Sequence, residues 1–345
     1  MQAQEEAAVI HDIRENLSLT STKHEVQDDV SLAQCTFTPL ENQTLIASML
    51  SRLLFSVDND VDTGNSEKET LKNQLKNIII SLTKGINLDN NPQTKLAQFF
   101  HSQLMQVDHS IDYWEPFFSA FTETFKAAAI QKEIKANLKI GDSKTINIAQ
   151  SIRAQTSGVD LCLKLGGLLI AKKEQHSLNH AIFKFEPVSK LFTLINRLVS
   201  LFNDLDSATK EFSEGDVFNE VYLRLRQNLN EAGLYLNKDI LSSDGQLNIA
   251  PEDYLHLKKA IESIKDDIHN LFFHIQQQLS LISLINEDDL QTHKLELTDL
   301  NSSIKIAIGW FMANAWSVES FRYHQEKDDN QIKTHSQTQD LMEVI

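Results

Sequence analysis

Residues 186–213 read EPVSKLFTLINRLVSLFNDLDSATKEFS, and this stretch decides how the rest of the chain is interpreted. Apolar side chains recur at helical spacing through its first two thirds, which predicts one long α-helix. Ile195 and Val199 lie on the same helical face as Asn203. That face then continues with an amide, a hydroxyl and a carboxylate at i, i+4 and i+8: Asn203, Ser207 and Glu211. The change from apolar to oxygen-bearing side chains predicts a polar site beside a core.

The composition of the whole chain favours the same class of structure. Among 345 residues there are 10 Gly and 5 Pro, together about a third of their average usage. Sandwiches, barrels and Rossmann-type folds need many turns and Gly-rich loops, so this shortage argues against them. We therefore expect an all-α protein. No internal repeat or clear linker is visible, and a single helical domain is preferred over two.

The expected organisation has three parts. Residues 1–37 are predicted to be an N-terminal tail or lid, residues 38–326 the helical domain, and residues 327–345 a disordered C-terminal tail. The predicted helices, at their approximate bounds, are 38–57, 67–85, 92–108, 114–139, 144–171, 186–213, 216–237, 252–286 and 289–326. A break is expected at 156–158, where Thr-Ser-Gly interrupts the helix of 144–171.

Charge and cysteine content limit the function. The chain carries 32 Lys and Arg against 48 Asp and Glu, a formal net charge of −16, which disfavours nucleic acid as a partner. An anionic ligand would therefore need local basic groups or bound metal ions. Two cysteines, an acidic start and the absence of a 20-residue apolar run predict a cytoplasmic protein without a membrane span.

Two groups of oxygen donors are candidate metal ligands. Asn203, Ser207 and Glu211 are hard donors of the kind Mg²⁺ prefers. Asp58 and Asp62 share one face at i, i+4, where two like charges are unfavourable unless a cation neutralises them. Each group by itself has an ordinary explanation, a solvated helix face in the first case and an acidic capping turn in the second.

Basic and aromatic residues supply a third kind of candidate. Arg153 directly precedes the expected break, and Arg322 with Tyr323 follows an aromatic helix that carries Trp310 and Trp316. A guanidinium is a multidentate phosphate donor and a neighbouring phenol adds a hydrogen bond. The ordinary alternative for each arginine is a role at the end of a helix.

In combination these residues resemble the motifs of microbial class I terpene synthases. Asn203-Asp-x-x-Ser-x-x-Lys-Glu211 resembles their second metal-binding motif, and Asp58 to Asp62, preceded by Phe55, resembles their aspartate-rich motif. Residues 152–158 resemble the segment with the diphosphate-sensing arginine and the helix break, and residues 316–323 their C-terminal Arg-Tyr pair. The four occur in the family's order over residues 40–325, which is more specific than any single motif. Asn59 departs from the pattern, and whether Asp60 takes part stays open.

The resemblance implies the all-α helical bundle of the class I terpenoid synthases and three Mg²⁺ ions bound with diphosphate. By this analogy the metal ligands are Asp58 and Asp62 for two ions and Asn203, Ser207 and Glu211 for the third. The residues that grip the diphosphate would be Arg153, Lys210, Arg322 and Tyr323. The residues lining the substrate pocket would be Phe55, Gly158, Trp310 and Trp316.

The implied activity is ionisation of an isoprenyl diphosphate, with farnesyl diphosphate as the first choice and geranylgeranyl diphosphate as the alternative. The cation would be quenched to a terpene hydrocarbon or alcohol, with release of diphosphate. A chain-elongating prenyl synthase would show a second aspartate-rich motif in place of Asn203 to Glu211. The rival from another class is a non-catalytic helical interaction protein. The sequence leaves open the product and whether the chain forms a homodimer.

Overall fold

The computed structural model describes residues 44–63, 68–140, 143–213, 216–233 and 254–316 of the chain. Across these ranges the regular structure is helical and contains no strand, so the all-α prediction is confirmed. The α-helices are α1 (Thr44–Thr63), α2 (Lys68–Lys84), α3 (Pro92–Val107), α4 (Glu115–Ile140), α5 (Ser143–Thr156), α6 (Val159–Lys173), α7 (Glu186–Ser213), α8 (Glu220–Glu231), α9 (Tyr254–Ile282), α10 (Glu287–Thr292) and α11 (Leu297–Trp316). The predicted tails, 1–37 and 327–345, lie outside the described residues.

Helix ends follow local capping signals where the sequence provides them. α2 ends at Gly85, whose φ of +67° is the left-handed conformation that favours glycine. α3 begins after Asn91, whose side chain accepts from the Gln93 backbone N–H at 2.8 Å, with Pro92 at the first helical position. The helices predicted at 67–85, 92–108 and 186–213 are confirmed, the last at both ends.

Several predicted helix boundaries are wrong. The helix predicted at 216–237 is shorter in the structure, where α8 begins at Glu220 and ends at Glu231, and the helix predicted at 252–286 ends at Ile282. The first helix was expected to end at Val57, but α1 continues to Thr63 and includes the whole aspartate-rich stretch. The predicted helix 289–326 is divided into α10 and α11. At this break Lys294 has a φ of +58° and the Asp299 side chain accepts from the Glu296 backbone N–H at 2.9 Å. Neither Gly nor Pro marks the position, so the sequence lacks the usual signal for it.

Helix α7 lies in the middle of the helical bundle. This helix packs against α5, α6, α8, α9 and α11, while α4 packs against α1, α2, α5 and α6. On α4 the side chains of Phe117, Phe121 and Phe125 are buried, with Phe117 tilted against Phe121 and Phe121 stacked on Phe125. Within the described ranges, no helix has the length and apolar character needed to cross a bilayer.

Helices α6 and α11 approach closely at Gly166. An added Cβ at Gly166 would lie 2.5 Å from both Cδ1 and Cγ1 of Ile306, which is fully buried. At the adjacent Gly167 the same atom would lie 3.5 Å from the ring of Phe183, an ordinary contact. The two neighbouring glycines therefore differ in role, because the helix contact requires the first and tolerates a methyl group at the second.

We expect Gly166→Ala to lower the free energy of unfolding by about 1–3 kcal/mol, because the new methyl group overpacks the contact with Ile306. The matched control, Gly167→Ala, should be neutral or stabilising by up to about 1 kcal/mol, since Ala restricts the unfolded chain. Urea unfolding followed by circular dichroism measures both. Equal stability of the two variants would contradict the close approach.

Candidate active site

The break between α5 and α6 forms one side of the candidate site. Gly158 stands between the two helices with a φ of +72°, which confirms the predicted interruption at 156–158. A Cβ at this position would lie 3.0 Å from Cδ1 of Leu54 in α1. α1 therefore packs directly against the break, and Asp58 follows Leu54 by about one helical turn.

Arg153 links the break to the second metal-binding motif. Its Nε donates to both carboxylate oxygens of Asp204, at 3.0 and 2.9 Å, and its Nη2 also contacts Oδ1. A further nitrogen, Nη1, donates to the Thr156 hydroxyl at 3.3 Å. Asp204 is fully buried and accepts the Glu220 backbone N–H at 2.8 Å. The sequence assigned no role to Asp204, which is the partner of the predicted diphosphate-binding arginine.

The charge of Arg153 interacts with carboxylates of two helices, α1 and α7. Burial lowers the pKa of Arg153, but Asp204 and, more weakly, Glu211 and Asp58 raise it above its ordinary value. Asp58 is exposed near the end of α1, whereas Asp204 and Glu211 belong to α7. Carboxylates from α1 and α7 therefore both act on the charge of one guanidinium.

The predicted row of oxygen donors lies on one face of α7. The Ser207 hydroxyl donates to the Asn203 backbone carbonyl at 2.6 Å and also contacts Oε1 of Glu211. Burial, reinforced by the charge of Asp204, raises the pKa of Glu211 to about 7, while Arg153 opposes this rise. A cation beside Glu211 would offset the cost of ionising it.

The donor chemistry of this row fits a hard divalent ion. It combines an amide oxygen, a hydroxyl and a carboxylate, with both Asn203 and Glu211 only partly buried. In the part of the chain that the structure describes, no three His, Cys, Asp or Glu side chains cluster closely enough to hold a metal by themselves. A metal bound at this row would therefore use mixed oxygen donors, with solvent or ligand oxygens completing its shell.

Asp60 bonds to two glutamines on neighbouring helices. Its Oδ2 accepts from Nε2 of Gln74 at 2.8 Å and from Nε2 of Gln93 at 2.9 Å. The Gln93 amide also donates to the Ser56 carbonyl at 3.1 Å. Asp60 thus attaches the end of α1 to α2 and α3, a structural role that these bonds show directly. Gln74 and Gln93 carried no signal, because their partners are remote in sequence.

Several predicted site residues are not described at the level of side chains. The structure places the backbones of Asp62, Lys210 and Trp316 in α1, α7 and α11 but does not describe their side chains. Arg322 and Tyr323 lie outside the described residues. Their predicted roles in binding metal, diphosphate and substrate stay predictions.

A series of aromatic rings joins α7, α9 and α11. Phe202 precedes Asn203 and contacts Phe272 of α9 at 5.8 Å between ring centroids, and Phe272 contacts Phe311 of α11 at 5.4 Å. Among the rings predicted from sequence, Trp310 is nearly fully buried in α11 and Phe55 is partly buried in α1. The sequence had not identified the contacts of Phe272 and Phe311, since three separate helices must meet to form them.

Two lysines of α4 bind near the C-terminal ends of α1 and α7. Nζ of Lys132 donates to the Val61 carbonyl near the end of α1 at 3.0 Å. Lys135, about one turn later, forms a half-buried ion pair with Asp216 at 3.1 Å. These lysines, which the sequence did not single out, hold the ends of α1 and α7 to a common helix.

The helical fold and the break at Gly158 agree with the resemblance to class I terpene synthases. A family model described as terpene synthase family 2, C-terminal metal binding, matches residues 49–232, which is 184 (232 − 49 + 1) of 345 residues. The chain belongs to this family of terpene synthases, which are enzymes. No curated protein matches the sequence.

Solved structures of terpene synthases resemble the fold over nearly the whole chain. An α-eudesmol synthase shares 11% identity with a TM-score of 0.68, covering 93% of this chain and 96% of that one. Germacradien-4-ol synthase from Streptomyces citricolor shares 12% with a TM-score of 0.62, covering 91% and 90%. Hedycaryol synthase in complex with nerolidol shares 12% with a TM-score of 0.60, covering 91% and 92%. At such low identity the likeness shows the fold alone.

The raised pKa of Glu211 predicts a pH-dependent stability in metal-free buffer. Its folded pKa of about 7 lies above the ordinary 4.5, so the folded state binds the proton more tightly and loses stability as pH rises from 4.5 through 7. Glu211→Gln removes this loss, and its amide can donate to Ser207 while its oxygen accepts from Asn219. We expect the variant to be more stable than the wild type by about 1–2 kcal/mol at pH 8.

The measurement is urea unfolding in EDTA at pH 5 and pH 8. The difference between Glu211→Gln and the wild type should be small at pH 5 and larger at pH 8. Glu186→Gln, an exposed substitution at the start of the same helix, serves as the control. A stability difference for Glu211→Gln that does not grow with pH would contradict the raised pKa.

Proposed function

We propose that the protein is a Mg²⁺-dependent class I terpene synthase that ionises farnesyl diphosphate and converts the cation to a terpene hydrocarbon or alcohol, releasing diphosphate. The observation that carries this proposal is the bonding of Arg153 to Asp204, which joins the break after α5 to the helix that bears Asn203, Ser207 and Glu211. Family membership supports the class of reaction and the use of a metal. The solved sesquiterpene synthases of similar fold support a farnesyl substrate.

The proposed ligand sets follow from the positions of the donors. Asp58, with Asp62, would hold two Mg²⁺ ions, and a third would lie against Asn203, Ser207 and Glu211. When bound, the ions neutralise the negative charge of the diphosphate group. This accounts for an anionic substrate in a chain of net charge −16, because the attraction is local. We place the protein in the cytoplasm.

The side chains of the protein would act on both products of ionisation. As the C–O bond breaks, its electron pair stays with the diphosphate, where Arg153 stabilises the developing charge. Asp204 and Thr156 hold that guanidinium in place, so little reorganisation is needed. Lys210, Arg322 and Tyr323 would add further donors to the diphosphate. The rings of Phe202, Phe272 and Phe311 would exclude water and stabilise the hydrocarbon cation.

Substrate choice and activity are tested together. Purified protein with Mg²⁺ is incubated separately with geranyl, farnesyl and geranylgeranyl diphosphate, and the organic extract is analysed by gas chromatography with mass spectrometry. We expect one discrete product set from farnesyl diphosphate. Asn203→Ala should reduce turnover at least 100-fold with unchanged circular dichroism, because it removes a metal ligand and no core contact.

The matched control is Asn147→Ala, the same substitution on the exposed face of α5, which should keep wild-type turnover. If only geranylgeranyl diphosphate gives a product, it replaces farnesyl diphosphate as the assigned substrate. Absence of product from all three substrates, with no stabilisation by Mg²⁺ plus diphosphate, would favour the non-catalytic helical protein.

The different positions of Asp58 and Asp60 predict different effects of the same substitution. Ligand linkage predicts that Mg²⁺ plus inorganic diphosphate raises the melting temperature of the wild type. Asp58→Asn should lose most of this rise without loss of basal stability, because the side chain is exposed. Asp60→Asn should keep the rise but lose about 1–2 kcal/mol of stability, because one glutamine amide loses its acceptor. If Asp60→Asn loses the rise and Asp58→Asn keeps it, Asp60 is the metal ligand and Asp58 is not.

A further inference from the structure

Asn219 joins the start of α8 to the donor row of α7. Its side chain is fully buried. Nδ2 donates to the Asp204 backbone carbonyl at 2.7 Å and to Oε2 of Glu211 at 2.9 Å. Oδ1 accepts the Val221 backbone N–H at 2.8 Å and thereby caps α8. Both amide protons and the amide oxygen are therefore used.

Asn219 belongs to a run of three residues that all contact the site. The ring of Phe218 lies 5.5 Å below the Arg153 guanidinium, and the backbone N–H of Glu220 donates to Asp204 at 2.8 Å. The Glu220 side chain is itself held by Arg197 and Arg224 at 2.8 and 3.0 Å. This turn is thus anchored from outside the site and presents Asn219 in one orientation.

We propose that Asn219 is a positioning residue that presents the Glu211 carboxylate to the metal ion. This inference rests on the proposed role of Glu211 as a metal ligand. Without Asn219 the side chain of Glu211, near the end of α7, would regain rotamer freedom and turn toward solvent. The bond to Oε2 leaves Oε1 on the side of Ser207, where the donor row continues. Hydrogen bonds that orient a ligand in this way commonly change metal affinity 10- to 100-fold.

The residue type follows from the number of bonds. Asparagine supplies two donors for the α7 acceptors and one acceptor for the α8 cap. Aspartate would keep the cap but place a carboxylate against Glu211, and serine would keep the cap but lose the reach to both acceptors. The variants Asn219→Ser and Asn219→Asp therefore keep the cap of α8 but lose the positioning of Glu211.

The test compares Asn219→Ser with Asn91→Ser. Asn91 caps α3 through the same bond, from its side-chain oxygen to the second backbone N–H, with the same distance of 2.8 Å. The probe is Mn²⁺ with inorganic diphosphate, and the fraction of free Mn²⁺ is measured by electron paramagnetic resonance. Asn219→Ser should weaken Mn²⁺ binding 10- to 100-fold, whereas Asn91→Ser should bind as the wild type does. Turnover by Asn219→Ser should recover at high Mg²⁺, with an unchanged maximal rate.

Asn219→Asp keeps the measurement decisive if the serine variant folds poorly, because it preserves the cap and the shape. We expect it to bind Mn²⁺ at least as weakly as Asn219→Ser. Affinity within twofold of the wild type in either folded variant would overturn the inference. Tight Mn²⁺ binding by the wild type without product from any prenyl diphosphate would overturn the proposed function alone. Absence of Mn²⁺ binding by the wild type would overturn both.

Discussion

The buried ion pair between Arg153 and Asp204 is the interaction on which the rest of the site depends. It joins the end of α5 to the middle of the metal motif on α7, and the backbone of Glu220 attaches α8 to the same carboxylate. Loss of one partner would leave an uncompensated buried charge, which costs about 3–5 kcal/mol. The position of the α5–α6 break, and with it the packing of α1 at Gly158, is therefore tied to the metal motif.

The same pair explains how an acidic protein prepares a site for an anion. Arg153 bonds directly to Asp204, and the charges of Glu211 and Asp58 also act on its guanidinium. Burial and, after it, the charge of Asp204 raise the pKa of Glu211, so ionising it has a free-energy cost that a bound cation offsets. Bound metal ions would then neutralise the negative charge of these carboxylates and of the diphosphate.

Much of the fold could be predicted because helix formation is local. The scarcity of Gly and Pro indicated the all-α class, and the apolar spacing of residues 186–213 gave α7 at both ends. The predictions failed where local signals are weak. α1 continues past Val57 because Gln74, Gln93 and Lys132 bind its last turns from other helices. The break after α10 depends on the left-handed conformation of Lys294, and lysine is not a residue type that favours this conformation.

By itself the sequence determined which side chains share a helical face, since that depends only on the geometry of one helix. It therefore identified Asn203, Ser207 and Glu211 as one row and Arg153 as the residue before a break. Only the tertiary structure decided what each side chain contacts. Asp58 and Asp60 are indistinguishable as residues, yet Asp58 is exposed and Asp60 is held by Gln74 and Gln93. Asn219 reaches Glu211 because the start of α8 packs against α7, and these hydrogen bonds exist only after packing.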